Sequence, residues 1–299
     1  MSSKILAVPA TLLLVSLGQT SLLAATILYT ADSFSDGVSG TIVGGADSVF
    51  ELYGIGYTQT DTTFYVGLNT NLPIGGSPDA SADGGSVTWG DLFFNFSAQP
   101  FAEAVTEGQV YGVRFDAAND SPLPQLGLYQ VQQTTSVTPI NTGFASLADY
   151  QSVVTEAGGI PSLGSIPING GYLSNTGLPQ NVIAEGILLS EDVNFIEDFS
   201  SVGFAPDFGF SSSLSQTGNF TYGFSIDRAA LPTGDFIAHL LAECANDGVA
   251  FAGTLLAQEI SPISEPESVP EPTTWLACFG LGIAYGAREL FSLNKIFKG

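Results

Sequence analysis

Basic residues are scarce in this chain: six Lys and Arg stand against 29 Asp and Glu in 299 residues, a formal net charge of −23. Four of the six (Lys4, Arg288, Lys295 and Lys298) lie near the ends, so Arg114 and Arg228 are the only bases between them. Nucleic acid is bound by Lys and Arg that displace its counterions, and it is excluded as a partner. Histidine is reduced to His239, which removes the usual general base from most catalytic arrangements. Of two cysteines, Cys278 falls in a C-terminal apolar stretch, so the body holds Cys244 alone and has no internal disulfide. A domain without disulfides must be held by an ordinary core. Only 12% of residues are charged, against about 25% in typical soluble domains, while 44% are hydrophobic. Such a chain buries enough apolar surface to fold rather than stay disordered.

The two ends carry address-like patterns. Lys4 precedes an apolar run from Ile5 to Leu17 and a small-residue segment ending at Ala24-Ala25. That order is the one a secretory signal peptide uses, and the run is too short to span a bilayer. Residues 1–25 are therefore expected to be a signal peptide, residues 26–258 a β-rich ectodomain, residues 259–272 a linker and residues 273–299 a transmembrane sorting tail. The linker carries Pro262, Pro266, Pro270 and Pro272 among Glu259, Glu265, Glu267 and Glu271, an extended and self-repelling composition.

After it come Val269-Pro270-Glu271-Pro272-Thr273-Thr274-Trp275, an uncharged apolar stretch to Ala287, and Arg288. This arrangement is similar to the PEP-CTERM sorting signal of exported Gram-negative bacterial proteins. The resemblance implies an exosortase, a membrane enzyme with a cysteine nucleophile, as partner and processing near Pro270-Glu271-Pro272. The sorting residues it assigns are Val269, Pro270, Glu271, Pro272 and Arg288. Each part has a physical rationale. Prolines keep the recognition segment extended, the apolar stretch partitions into the bilayer, and a terminal base holds the cytoplasmic side. The expected location is the cell surface or the extracellular space after transient anchoring in the inner membrane.

Strand signals dominate the body. Residues 49–57, 63–69, 87–96, 109–115, 126–132, 182–189, 220–226 and 236–241 are rich in aromatic and β-branched residues, and most are bounded by turn formers. Leu92-Phe93-Phe94-Asn95-Phe96 and Phe220-Thr221-Tyr222-Gly223-Phe224 place aromatics with the two-residue period of a sheet. One helix is expected over 147–157, with Ser146 as its cap and Gly158 as its stop. The fold class read from this pattern is all-β, a single β-sandwich-like ectodomain with one short helix. Residues 158–180, rich in Gly and Pro, are expected to be a long loop or a cover over one sheet. Trp89-Gly90-Asp91-Leu92, Tyr111-Gly112-Val113-Arg114-Phe115 and His239-x4-Cys244-Ala245-Asn246-Asp247-Gly248 resemble exosortase-dependent surface proteins of cyanobacteria. That resemblance implies location and processing, and assigns no chemistry.

No catalytic constellation stands out. His239 and Cys244, at an odd spacing, would face opposite sides of a strand and read as core residues. They are too few to bind zinc. So many carboxylates suit calcium better, and Asp32, Asp36, Asp79 and Asp83, each pair followed by a turn glycine, are the candidate ligands. Solvated turns account for both pairs equally well in type and are the commoner use of Asp-Gly. Trp89 with Tyr53, Tyr57 and Tyr65 offers a surface for stacking sugars, or else core. The expectation is a non-enzymatic exported surface or extracellular-matrix protein without a required cofactor, with exopolysaccharide as a candidate partner. A polysaccharide-binding module is the alternative, and an extracellular hydrolase the third reading.

Overall fold

The computed structural model describes residues 26–257, and in it the alternating aromatic stretches are strands. In chain order these are β1 (Leu28–Ala31), β2 (Val38–Ser39), β3 (Ile42–Val43), β4 (Leu52–Gln59), β5 (Thr63–Thr70), β6 (Ser77–Pro78), β7 (Ser86–Val87) and β8 (Leu92–Asn95). They continue with β9 (Val110–Arg114), β10 (Gly127–Thr135), β11 (Val182–Ser190), β12 (Asn194–Ile196), β13 (Phe220–Asp227), β14 (Gly234–Leu241) and β15 (Gly248–Leu255). One sheet runs β1-β4-β5-β13-β12 and the other β11-β10-β9-β8-β14-β15. Their pairings are antiparallel throughout. β2 with β3 and β6 with β7 are short separate hairpins.

The two sheets pack face to face through rings from both. Phe64 of β5 meets Phe94 of β8 at 5.7 Å, Phe115 stacks on Phe224 at 4.9 Å, and Tyr57 stacks on Phe251 at 5.5 Å. Trp89, Leu92, Val113, Leu128 and Val249 complete this core. The two-residue period sends Phe93 the other way, into a second cluster with Phe101, Tyr129, Ile183, Leu163 and Tyr172. The 158–180 segment is thus a cover over the second sheet. The outer face of the first sheet, Ile196 of β12 included, is covered in turn by Phe199, Phe208 and Phe210. The architecture is an all-β sandwich with both outer faces partly roofed.

Three expectations need correction. The single strand expected over 87–96 is broken at Thr88–Asp91, because Trp89 makes only an isolated bridge to Ala242 and Asp91 turns its carboxylate onto other segments. β1, β12 and β15 are absent from the expected strands: β1 and β12 are only four and three residues long, and the Gly and Ala residues of β15 are weak strand markers. Three α-helices occur among the described residues rather than one: α1 (Phe101–Thr106), α2 (Leu147–Glu156) and α3 (Phe210–Ser213). α1 and α3 are six and four residues long and lack a side-chain cap, so no start signal marks them. α2 is the expected helix: the Ser146 hydroxyl accepts the Asp149 N–H, and Tyr150 and Val154 are buried, while Val153 faces solvent. The segments expected to be a signal peptide, a linker and a sorting tail lie outside the described residues.

Candidate functional site

Four acidic side chains meet at one end of the sandwich. Asp32 directly follows β1, Asp36 lies in the next loop, Glu51 precedes β4 and Asp247 precedes β15. Strand pairing brings these positions together. β1 lies on β4, and the 32–38 loop is pinned to the 242–247 turn by Val38 N–H to the Asn246 carbonyl (2.9 Å) and Asn246 Nδ2 to the Val38 carbonyl (2.8 Å). All four are buried, Asp36 and Glu51 completely. Oxygens of Asp32, Asp36 and Asp247 lie within 4.8 Å of one another.

Each carboxylate is aimed by backbone donors. Asp32 Oδ1 accepts the Gly164 N–H at 2.7 Å, Asp36 Oδ2 the Ser162 N–H at 2.7 Å, and Glu51 Oε2 the Gly37 N–H at 3.0 Å. Asp247 accepts Leu52 N–H and Gly248 N–H, both at 2.7 Å. The second oxygens, Asp32 Oδ2, Asp36 Oδ1 and Glu51 Oε1, are buried without a hydrogen-bond partner. The hydroxyl of Tyr150 on α2 is also buried, makes no hydrogen bond of normal length, and is directed at Asp36 with Asp247 and Asp32 close by.

Neither base among the described residues balances this charge. Arg114 donates to Asn119 Oδ1 (3.0 Å) and the Leu123 carbonyl (2.8 Å), and Arg228 to the carbonyls of Thr60 and Leu256. Burial, reinforced by neighbouring carboxylates, raises Asp36 to about 8. Burial likewise lifts Glu51 to about 8 and Asp32 to about 6, and drives Asp247 well above the ordinary carboxylate range.

Asp32 and Asp36 are therefore not the solvated turn residues that Asp-Gly composition favoured. Asp79 and Asp83 lie outside this group: Asp79 caps the Ser81 N–H (2.8 Å) and accepts the Thr142 hydroxyl (3.3 Å), and Asp83 is exposed. Glu51 and Asp247 were missed as site residues. Asp247-Gly248 showed only as a turn pair, and nothing local to Glu51 marks it.

A second acidic centre is closed upon itself. Asp91 is fully buried, yet its Oδ1 accepts Asn119 Nδ2 (2.8 Å) and its Oδ2 the Ile183 N–H (2.7 Å). Glu243 accepts Thr88 N–H (2.7 Å), the Thr88 hydroxyl (3.1 Å) and the Asp120 N–H. Burial raises Asp91 to about 6 and Glu243 to about 7.

His239 stacks on Phe93 at 5.1 Å, and its Nδ1 lies 2.9 Å from the Tyr172 hydroxyl. Burial pushes the imidazole down to about 3, so it is neutral. Cys244 lies past the end of β14 in the other core, where burial pushes its thiol up to about 12. Trp89, Tyr53 and Tyr57 are buried, and Tyr65 packs edge-on against Phe204 at 5.1 Å, so these rings form no open stacking surface.

Residues 268–288 match the PEP-CTERM protein-sorting motif. The motif implies export, transient membrane anchoring through the C-terminus and processing by an exosortase. No curated protein and no solved structure matches the chain significantly. No helix among the described residues is long and apolar enough to cross a membrane.

Proposed function

We propose that the chain is a non-catalytic cell-surface or extracellular-matrix protein, delivered through its C-terminal signal and acting as a structural component beside exopolysaccharide. The observation that carries this reading is the sorting motif at residues 268–288. The body supports it in two ways. Its one histidine is enclosed by aromatic rings, and the acids of the second centre are consumed by hydrogen bonds that tie strands together. A catalytic acid or base must lie within reach of its substrate, and His239, Asp91 and Glu243 are all fully enclosed. The cyanobacterial type suggested by the body motifs belongs to the same proposal.

Replacing Pro270, Glu271 and Pro272 together with Ala tests the delivery step. The triple variant is expected to accumulate unprocessed in the membrane fraction, whereas the wild type loses its tail. Normal tail removal in the variant would overturn the assignment.

A further inference from the structure

We propose that Asp32, Asp36 and Asp247 bind one calcium ion, with Glu51 adding its charge beside them. Three observations carry this site. The three aspartates present oxygens within 4.8 Å of one another, a spread that a single ion at about 2.3–2.6 Å from each donor spans. Asp32 and Asp36 each commit one oxygen to a backbone N–H and leave the other buried without a hydrogen bond of normal length. Backbone donors thus orient these ligands as the outer partners of a metal site do. The Tyr150 hydroxyl is the independent sign: it is buried, makes no hydrogen bond of normal length, and is directed at Asp36 with Asp247 and Asp32 close by. A neighbour of ion-bound carboxylates accounts for a donor placed there.

The chemistry selects the ion. Every donor is a hard oxygen, and the soft or nitrogen ligands that attract zinc, Cys244 and His239, lie in other clusters. Magnesium retains several waters and sheds them reluctantly, whereas calcium accepts an all-oxygen protein cage. Asp91 is the internal comparison. It is equally buried and, like Asp247, accepts a hydrogen bond on each oxygen, but it shares no carboxylate cluster in which neighbouring oxygens lack a partner.

Such a site would join the 32–36 loop, the start of β15 and, through Ser162 and Gly164, the 158–180 cover. It would do in an exported chain what disulfides do in others. The proposal is independent of how the tail is processed.

The full-length protein, stripped of metal by a chelator, is titrated with calcium, magnesium or sodium chloride at constant ionic strength, and bound calcium is counted by equilibrium dialysis. One calcium per chain is expected, with a saturating rise in melting temperature confined to calcium, as a ligand that binds only the native state requires. Terbium substituted for calcium should luminesce on tyrosine excitation, and Tyr150→Phe should dim it. The Asp36→Asn, Asp247→Asn double variant should lose calcium binding, while Asp79→Asn, Asp83→Asn should keep it. Absence of bound calcium in the wild type, an equal shift with magnesium, or full binding by the Asp36/Asp247 variant would each overturn the site. Should that variant not fold, the wild-type titration alone decides.

Discussion

Asp91 and Asp36 are both completely buried acids, and they differ in whether their oxygens are used. Asp91 is the hub of a closed network in which Arg114 Nε holds Asn119, Asn119 holds Asp91, and Asp91 holds the start of β11 through Ile183. Asp91→Ala leaves two buried donors without an acceptor, at about 1–3 kcal/mol each. A loss of roughly 2–6 kcal/mol is expected, read as a lower urea midpoint with an unchanged slope. Asp36→Asn should act oppositely in chelator, because it removes a buried acid that on folding must either take up a proton or stay charged with no base beside it among the described residues. Equal losses from the two substitutions would contradict the distinction between them. In the sequence the two residues look alike, each an Asp close to a glycine, because hydrogen-bond saturation is set by segments far away along the chain.

Glycines at strand centres decide how closely the outer cover approaches the first sheet. Gly223 of β13 pairs with Gly67 of β5, and Phe199 and Phe208 rest on this pair where side chains would otherwise stand. A Cβ at Gly223 would run into the Val66 carbonyl and the Phe199 ring. Gly223→Ala must therefore separate β13 from β5 or lift the cover, an overpacking cost of about 1–3 kcal/mol. A lower denaturation midpoint is expected, and an unchanged midpoint would show that the cover yields freely. The strand containing Gly223 was legible from its alternating aromatics, and so was α2 from its cap and stripe. The break at Thr88–Asp91 was not, since local β-propensity favours an unbroken strand there and only the long-range bonds of Gly90 to Leu241 and Asp91 to Ile183 override it.

Across the whole molecule, acids with raised values dominate the pH response. Asp32 and Asp91 at about 6, Glu243 at about 7, and Asp36 and Glu51 at about 8 all bind protons more tightly folded than unfolded. Their contribution is fully present below the unfolded value near 4 and is lost as pH rises through about 6 to 8. His239 works the other way: with a folded value of about 3 against 6.5 unfolded, it stabilises above about 6.5 and loses that contribution as pH falls. Five acids outweigh one histidine, and protonation also relieves the self-repulsion of a chain at −23. In chelator the melting temperature should therefore rise as pH falls from 8 to about 5. In saturating calcium the rise should shrink, because the liganded aspartates stay ionised. A chelated melting temperature that falls over this range would refute the account.

What the residue order settles without a fold is what local chemistry can express: the acidic balance, the lack of disulfides, the two-residue strand period, the Ser146 cap and the sorting tail at 268–288. A sorting signal must be readable as a linear segment, so its meaning survives without tertiary structure. The carboxylate cluster is the opposite case. Asp32 and Asp36 could be nominated from their loop, but only the pairing of β1 with β4, the pinning of Val38 to Asn246 and the docking of α2 bring Asp247, Glu51 and Tyr150 to them. Antiparallel sheets join residues distant in the chain, and burial by those sheets makes four ordinary acids into a site with oxygens left to share.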